Sequence, residues 1–517
     1  MDDAAVAPVV PTGELVDFGT PRGWWVLAAT VGASGMAALD GTVVNVALPT
    51  IARDLNTDMA GMQWVLNGYM LATASLILLG GSLGDMFGRR RIFLAGVVLF
   101  AAASVSCGLA PNVGFLVLAR VVQGVGSALL TPGSLAILEA GFRPGDRGKA
   151  IGAWSGLGGV AAAIGPFLGG WLVDAASWRW VFLINVPLAV AVVAISLRHV
   201  PESSNPAADH RIDFRGALLI SAALAALSWG LIAVGDNGWG AATVLIPLVG
   251  GVIAFAAFVV SQMRSSHPMV PPSIFSSAQF RAANLVTVSM YAGLGIVFFL
   301  LVVQLQQVLG YSALEAGAAT LPITALMLTL SSYSGQVAER IGPRVQMSAG
   351  PLVTALGLLL MSRIGPGDDY LTGVLPAVVI VGLGLATTVA PLTTTALGAV
   401  DDRHAGIASG VNTTVARAAQ LAAVAAIPAI AGIAGDAYLD PAVFNDGFGT
   451  GMVIAAGLVA LGGVTGWLLV RNPTAAEKAA TADRNLGPTD RFQCGAEGLS
   501  LSRCPDFTEQ TPARPAA

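Results

Sequence analysis

The chain has 517 residues, of which 55% are hydrophobic and 11% are charged, and its formal net charge at pH 7 is -4. An ordinary soluble domain carries roughly 25% charged residues, so this chain has too few charges to cover a water-soluble core. The small net charge also gives no argument for a nucleic-acid partner, and we expect none. The apolar residues fall into runs of about twenty, which is enough helix to cross a bilayer, so the sequence predicts an all-α integral membrane protein.

Hydropathy predicts fourteen membrane-spanning helices in groups of six, two and six. They are expected at residues 24–50, 62–84, 92–110, 114–138, 149–172 and 180–197, then 216–235 and 240–263, and finally 283–309, 314–337, 345–363, 371–397, 405–433 and 448–470. The expected organisation is a cytoplasmic N-terminal segment (1–23), an N-terminal six-helix bundle (24–199), a linker with two additional transmembrane helices and cytoplasmic loops (200–282), a C-terminal six-helix bundle (283–470) and a disordered cytoplasmic tail (471–517).

The positions of the basic residues predict the orientation in the membrane. If the N-terminus is cytoplasmic, 21 of the 26 Lys and Arg residues lie in cytoplasmic segments, as basic residues prefer. The segment 1–20 contains no Lys or Arg and therefore lacks the basic start of a cleavable signal. We expect a multi-pass protein of the cell inner (plasma) membrane with both termini cytoplasmic, where Cys494 and Cys504 would be free thiols.

A short pattern recurs at the same place in the two predicted six-helix groups. Gly81, Asp85 and Gly88 close the second helix of the first group. Gly335, Glu339 and Gly342 close the second helix of the last group with the same offsets of four and seven. The match predicts an internal repeat, which is common in transporters whose two halves rock about a central site.

Five sequence segments carry a resemblance to a known family. They are Leu39–Pro49, Gly81–Arg91, Arg120–Gly126, Gly156–Gly170 and Trp178–Pro187. In this order and on these helices they resemble the major facilitator superfamily, and within it the fourteen-helix drug/proton antiporters. One departure is Met86, which stands where the family usually has Arg.

The resemblance implies a fold and a function. The fold would be the major facilitator fold, with two six-helix bundles and two extra central helices. The function would be proton-coupled export of small hydrophobic or amphiphilic compounds, such as drugs or antibiotics, by alternating access. It further implies proton coupling at Asp40 and Arg120, and a conformational latch at Gly81, Asp85, Gly88, Arg89 and Arg90. A helix-bending antiporter motif would comprise Gly158, Gly165, Pro166 and Gly169.

Asp40 and Arg120 also stand out on physical grounds. Asp40 lies well inside a predicted span, where a charge costs at least about 2.5 to 3.5 kcal/mol on insertion scales. At about 1.5 Å per residue the two side chains lie at similar depths, so they could meet. Burial favours a neutral carboxyl and a nearby Arg favours a carboxylate, so changing their separation would bind or release a proton. The alternatives are a structural hydrogen bond for Asp40 and a fixed ion pair for Arg120.

The other candidates also keep a structural alternative. Asp85 with its neighbouring arginines is either a latch or a solvated run of charge. The small residues of the fifth helix are either a tight crossing or a bending point, or both. Asn45, Gln123 and Arg417 are candidates for a substrate cavity, and Arg417 could instead lock two helices together.

Other function classes fit less well. The chain lacks the G-x-x-x-x-G-K-[ST] loop of an ATP-driven pump. We expect no enzyme, cofactor or metal site, because the four His residues are predicted in loops and no buried carboxylate pair is predicted. The nearest alternative is a proton-coupled importer of a small nutrient, although these spans are poor in the polar groups that such a cavity needs. The expected partners are a small-molecule substrate, protons and the lipid bilayer, and the expected state is a monomer.

Overall fold

A computed structural model describes residues 15–204, 212–400 and 405–473. Within these residues fourteen helical segments are long and apolar enough to cross a membrane, which confirms the predicted number. They are α1 (Pro21–Asp54), α2 (Met59–Phe87), α3 (Arg89–Gly108), α4 (Val113–Gly141), α5 (Pro144–Ala175), α6 (Trp180–His199), α7 (Phe214–Asn237), α8 (Ala242–Arg264), α9 (Ala278–Gln307), α10 (Ala313–Ile341), α11 (Pro343–Met361), α12 (Tyr370–Gly398), α13 (Gly406–Ile430) and α14 (Pro441–Leu469).

Several helices extend beyond the hydrophobic runs that predicted them. The last helix begins at Pro441, seven residues earlier than predicted, because Asp440 caps it by accepting from the backbone N–H of Ala442 and Val443. The first helix likewise begins at Pro21 behind the capping hydroxyl of Thr20. These polar first turns lie outside a hydrophobic window, so hydropathy does not detect them.

Four spans depart locally from α-helix geometry, and α12 is one of them, because it begins with a π-helical turn over Tyr370–Val374. In α6 the α-helix is interrupted at Ile184, and in α10 it is interrupted at Thr320. In α9 one π-helical turn covers Val297–Leu301. The histidine prediction needs one correction, because His199 is the last residue of α6 rather than a loop residue. Its ring stacks on Trp25 with 5.4 Å between the ring centroids.

The helices pack in two groups of six with the same internal arrangement. In the first group α1 packs against α5 and α6, α4 packs against α2 and α3, and α3 packs against α6. In the last group α9 packs against α13 and α14, α12 packs against α10 and α11, and α11 packs against α14. Each pair in the first group therefore has a counterpart eight helices later, which is the packing expected of a duplicated six-helix unit.

The glycines of the predicted repeat have the same structural role in both halves. Gly88 ends α2 with φ 106°, and Gly342 ends α10 with φ 87°. Glycine tolerates positive φ because it has no Cβ, so each residue reverses the chain directly into the next helix. The repeat predicted from spacing thus matches backbone geometry at two positions.

The two additional helices pack beside the bundles. α7 packs against α8 and also against α2 and α13, so it contacts one helix from each group of six. α8 has little of its apolar surface buried, as expected for a helix that faces lipid. Residues 474–517, which include Cys494 and Cys504, lie outside the described residues, as do His210 and His404. The predicted domain boundaries and the predicted disorder of the tail stay predictions.

Candidate functional site

An ion pair lies deep between the first and fourth helices. Asp40 of α1 is fully buried, and Arg120 of α4 is 1% exposed. Nη1 of Arg120 lies 2.5 Å from Oδ2 of Asp40. The two side chains that were expected at matching depths are therefore in direct contact, and each charge compensates the other inside the span.

Three further polar side chains complete a network around the carboxylate. Oδ1 of Asp40 accepts from Nε2 of Gln123 at 2.7 Å and from Nδ2 of Asn185 at 3.2 Å. Both amides also donate to the hydroxyl of Ser104, at 2.9 and 3.4 Å. Oε1 of Gln123 accepts from Nη1 of Arg120 at 2.7 Å. Both carboxylate oxygens therefore have donors, and the network joins α1, α3, α4 and α6.

This network contains one residue that was predicted for a substrate cavity and two residues that were not predicted. Gln123 was expected in a substrate cavity, but it is completely buried and bonded to Asp40, Arg120 and Ser104. It lies three residues after Arg120, so both side chains point from the same face of α4. Ser104 and Asn185 were missed as site residues. Asn185 falls in the segment Trp178–Pro187 that carried part of the resemblance, but nothing in its spacing indicated a contact with Asp40.

The guanidinium of Arg120 is held by more than its ion pair. Its Nε donates to the backbone oxygen of Val65 at 3.1 Å. Its central carbon lies 4.4 Å from the ring centroid of Tyr69 and 5.7 Å from that of Phe182. The Tyr69 hydroxyl is in turn 2.9 Å from the hydroxyl of Ser127. Aromatic faces stabilise a desolvated cation, so this environment can hold the arginine charge away from water.

The small residues of α5 separate into two groups. Gly165 and Gly169 pack directly on α1 beside the network. A Cβ on Gly165 would lie 1.9 Å from Oγ1 of Thr42, and a Cβ on Gly169 would lie 3.0 Å from the backbone oxygen of Val43. Gly158 has no such neighbour within 4 Å. The predicted small face is therefore a close crossing at Gly165 and Gly169, and it does not extend to Gly158.

Pro166 lies at a contact between the two bundles. A Cβ on Gly317 of α10 would lie 2.1 Å from the backbone oxygen of Pro166. One turn further along α5, a Cβ on Gly170 would lie 2.4 Å from the backbone oxygen of Ala313. Backbones approach this closely only where side chains are absent, so α5 and α10 form a tight crossing between the bundles.

The predicted latch residues form contacts within the first bundle. Arg89 donates from Nε to Oδ1 of Asp85 at 2.8 Å and from Nη1 to the backbone oxygen of Ala136 at 3.1 Å. The backbone N–H of Arg90 donates to Oε1 of Glu202 at 3.0 Å. Glu202 follows α6 and was not among the predicted residues. A Cβ on Gly88 would lie 2.8 Å from the same Oε1, but this atom is the end of a flexible side chain, so it is the φ of 106° that favours glycine there. Gly81 packs on Pro132 of α4.

The two remaining cavity candidates differ in their surroundings. Asn45 is 7% exposed, and its amide donates to the backbone oxygen of Gly41 in its own helix. Arg417 is partly buried and lies on α13, which packs against α2 of the first bundle and α9 of the second. Within the described residues no hydrogen bond or ion pair to its guanidinium is found. Arg417 is thus the candidate whose polar atoms remain available.

Hydrogen bonds join the bundles at the end where α1 finishes and α2 starts. Nε2 of Gln63 donates to the backbone oxygen of Val424 at 2.6 Å, and Nε2 of Gln306 donates to that of Val46 at 2.9 Å. The carboxylate of Asp174 accepts from the backbone N–H of Leu314 at 2.8 Å. The bundles are therefore closed against each other at this end.

A tyrosine between two spans adds to this closure. The hydroxyl of Tyr438 donates to the backbone oxygen of Thr57 at 2.8 Å. Burial raises the pKa of Tyr438, and the carboxylates of Asp436 and Asp58 raise it further, while Arg53 opposes them. The phenol is therefore kept in its neutral form, which is the form that can donate this hydrogen bond.

Curated proteins similar to this chain are named for resistance and export. It is 35% identical over 476 residues to the puromycin resistance protein pur8 of Streptomyces alboniger, covering 89% of this chain and 94% of that protein. It is 38% identical over 395 residues to the tetracenomycin C resistance and export protein of Streptomyces glaucescens, covering 75% and 72%. A multidrug resistance protein, Stp, of Mycobacterium tuberculosis is 36% identical over 377 residues, covering 73% and 70%.

Solved structures with low sequence identity share the fold. A peptide transporter, POT, in complex with sulfate has a TM-score of 0.64 at 16% identity, covering 91% of this chain and 100% of that one. The xylose transporter XylE from E. coli, in an inward open conformation, has a TM-score of 0.55 at 16% identity, covering 88% and 98%. The family model of the Major Facilitator Superfamily matches residues 30–424. The chain therefore belongs to the major facilitator superfamily of multi-pass membrane transporters.

Proposed function

We propose that this protein is a proton-coupled antiporter that exports small hydrophobic or amphiphilic molecules, such as drugs or antibiotics, by alternating access. The observation that carries the proposal is the buried pair of Asp40 and Arg120. The names of the resistance and export proteins that resemble this chain support the direction and the type of cargo. Further parts of the proposal are an inner-membrane location, cytoplasmic termini, a monomeric state and no enzymatic activity.

The coupling step follows from the hydrogen bonds around the carboxylate. A proton that binds Oδ2 of Asp40 removes the negative charge that holds Arg120. Arg120 keeps two acceptors, Oε1 of Gln123 and the backbone oxygen of Val65, so it is not left without partners when α1 and α4 move apart. Loss of the proton restores the charge and the ion pair. Protonation thus selects between two arrangements of these helices.

The bundle contacts supply the second part of an alternating-access cycle. The closed end contains Asp174, which lies at the predicted extracytoplasmic side, so the proposed state is one that faces the cytoplasm. Gly165 and Gly169 couple α1 to α5, and α5 in turn packs against α10 of the other bundle. In the proposal a shift of α1 after protonation is transmitted through this crossing to the bundle interface.

The test is transport in proteoliposomes with an imposed proton gradient, using N-phenyl-1-naphthylamine as a neutral amphiphilic probe. Asp40→Asn keeps the shape of the side chain but cannot bind and release a proton. It should lose gradient-driven transport and retain exchange without a gradient. Asp446→Asn, an exposed carboxylate of α14, is the matched control and should behave like the wild type. If Asp40→Asn responds normally to the gradient, the assignment fails and Glu139, near the end of α4, becomes the next candidate.

A further inference from the structure

Arg417 is one of three charged side chains deep in the described spans. Counting Asp, Glu, Lys and Arg, only Asp40, Arg120 and Arg417 lie seven or more residues from both ends of their span. Asp40 and Arg120 neutralise each other. The positive charge of Arg417 has no counterpart at that depth among the described residues, so the centre of the protein carries one net positive charge.

A purely structural role does not explain this arrangement. An arginine that locks two helices donates to carboxylates or backbone carbonyls of a neighbouring helix, as Arg120 does to Asp40 and Val65. Among the described residues the guanidinium of Arg417 has no such acceptor. An unpaired charge inside a membrane is expensive, and such residues generally line a water-filled cavity or a substrate pathway. Its partial exposure at the middle of α13 agrees with a position beside a cavity.

The surroundings of Arg417 combine aromatic groups with unused polar atoms. Arg417 lies on α13, which packs against α2 of one bundle and α9 of the other, the helices that carry Tyr69 and Tyr291. Oγ1 of Thr414, one turn earlier on the same helix, is buried without a hydrogen-bond partner. The amide of Asn67 on α2, a helix that packs on α13, is also buried with neither polar atom bonded.

We propose that Arg417 binds an acidic group of the transported molecule, so that the preferred cargo is an organic anion with an apolar body and organic cations are excluded. This inference rests on the proposed export function and specifies its substrate class. The guanidinium donates to the carboxylate, sulfonate or acidic enol of the cargo, and the tyrosines contact its apolar part. The site lies where the two bundles meet, so the same arginine remains beside the cargo whichever end of the protein is open.

Two probes that differ in one acidic group test the proposal. 8-Anilino-1-naphthalenesulfonate carries a sulfonate, and N-phenyl-1-naphthylamine has the same aromatic frame without it. Their affinities for purified protein in a non-ionic detergent are measured by fluorescence. The variants are Arg417→Gln and Arg417→Lys. The control Arg264→Gln removes an exposed arginine at the end of α8.

The wild type and the control should bind the sulfonate at least about tenfold more tightly than Arg417→Gln, because a charge-assisted hydrogen bond is lost. The affinity of Arg417→Lys for the sulfonate should lie between that of the wild type and that of Arg417→Gln. The neutral probe should bind all four proteins equally. Unchanged sulfonate affinity in Arg417→Gln, an equal loss for both probes, or a wild type that prefers the neutral probe would each overturn the proposal.

Thermal unfolding separates ligand binding from helix locking. Removing an unpaired charge should leave the unfolding temperature of Arg417→Gln equal to or above that of the wild type, whereas removing a helix lock would lower it. A lower value would overturn the proposal. Gradient-driven transport of the neutral probe gives an independent readout. If it persists while the sulfonate preference is absent, the substrate class is wrong and the export function stands.

Discussion

The ion pair between Asp40 and Arg120 can be tested as a unit by a double-mutant cycle. The variants are Asp40→Asn, Arg120→Gln and the combination of both. Removing one member of a buried pair typically costs about 3 to 5 kcal/mol, because the other charge stays buried without compensation. Replacing both charges by amides removes that penalty, so we expect the double variant to be no less stable than the less stable single variant.

The contacts refine the size of each effect. Asp40→Asn keeps an oxygen that accepts from the amides of Gln123 and Asn185, and in this variant Arg120 keeps its contacts with Gln123 and Val65. The loss of stability in Asp40→Asn should therefore be about 3 kcal/mol, the lower end of that range. Arg120→Gln also loses the contact with the Tyr69 ring at 4.4 Å, which adds about 1 to 2 kcal/mol. That loss is shared by the double variant, so the coupling between the two sites should be roughly 3 kcal/mol.

The measurement is the free energy of unfolding of the purified protein in mixed micelles containing increasing denaturing detergent. Asp446→Asn serves as the control, and a substitution at such an exposed position should change stability by no more than about 0.5 kcal/mol. If the loss in the double variant equals the sum of the two single losses, the side chains do not act as a pair, and the coupling step built on them is refuted.

Two other predictions concern packing and orientation. Gly165→Ala should destabilise the protein by about 1 to 3 kcal/mol and slow transport, because the new Cβ would overlap the Thr42 hydroxyl; Gly158→Ala has open space and should be neutral or slightly stabilising. Equal effects of the two substitutions on unfolding and transport would contradict this. In a protein without its native cysteines, a cysteine placed at Asn237 should react with an impermeant reagent in intact cells. One at His267 should react only after the membranes are opened, and the reverse pattern would invert the topology.

Sequence periodicity and hydropathy predicted the parts of this fold that depend on local physics. A helix must bury its own backbone hydrogen bonds to cross a bilayer, so each span leaves a run of apolar residues that can be counted from the sequence. The number of spans was predicted in this way and is confirmed, and the family, which was predicted from the resemblance of five sequence segments, is confirmed as well. The helix ends were predicted less well, since α14 begins with a capped polar turn that has no hydrophobic signature.

Part of the candidate site was also visible in the sequence. Asp40 and Arg120 were recognisable because charge is costly inside a span, and their depths follow from the constant rise of a helix. Ser104 and Asn185 were not recognisable, since neutral polar residues are common in such helices and their partners come from α1 and α4. The sequence likewise assigned Gln123 to a cavity, although its donors and acceptors are all directed into the network.

The sequence by itself thus determined that this is a fourteen-helix membrane protein with an acidic and a basic residue at similar depths, because insertion energy and helix geometry act along one chain segment at a time. Only the tertiary structure decided which helices meet and which polar groups are satisfied. It gave Arg120 a partner and left the guanidinium of Arg417 without one among the described residues. The physical reason is that hydrogen bonding and charge compensation depend on distances between helices, and those distances are set by packing rather than by the order of residues in any one helix.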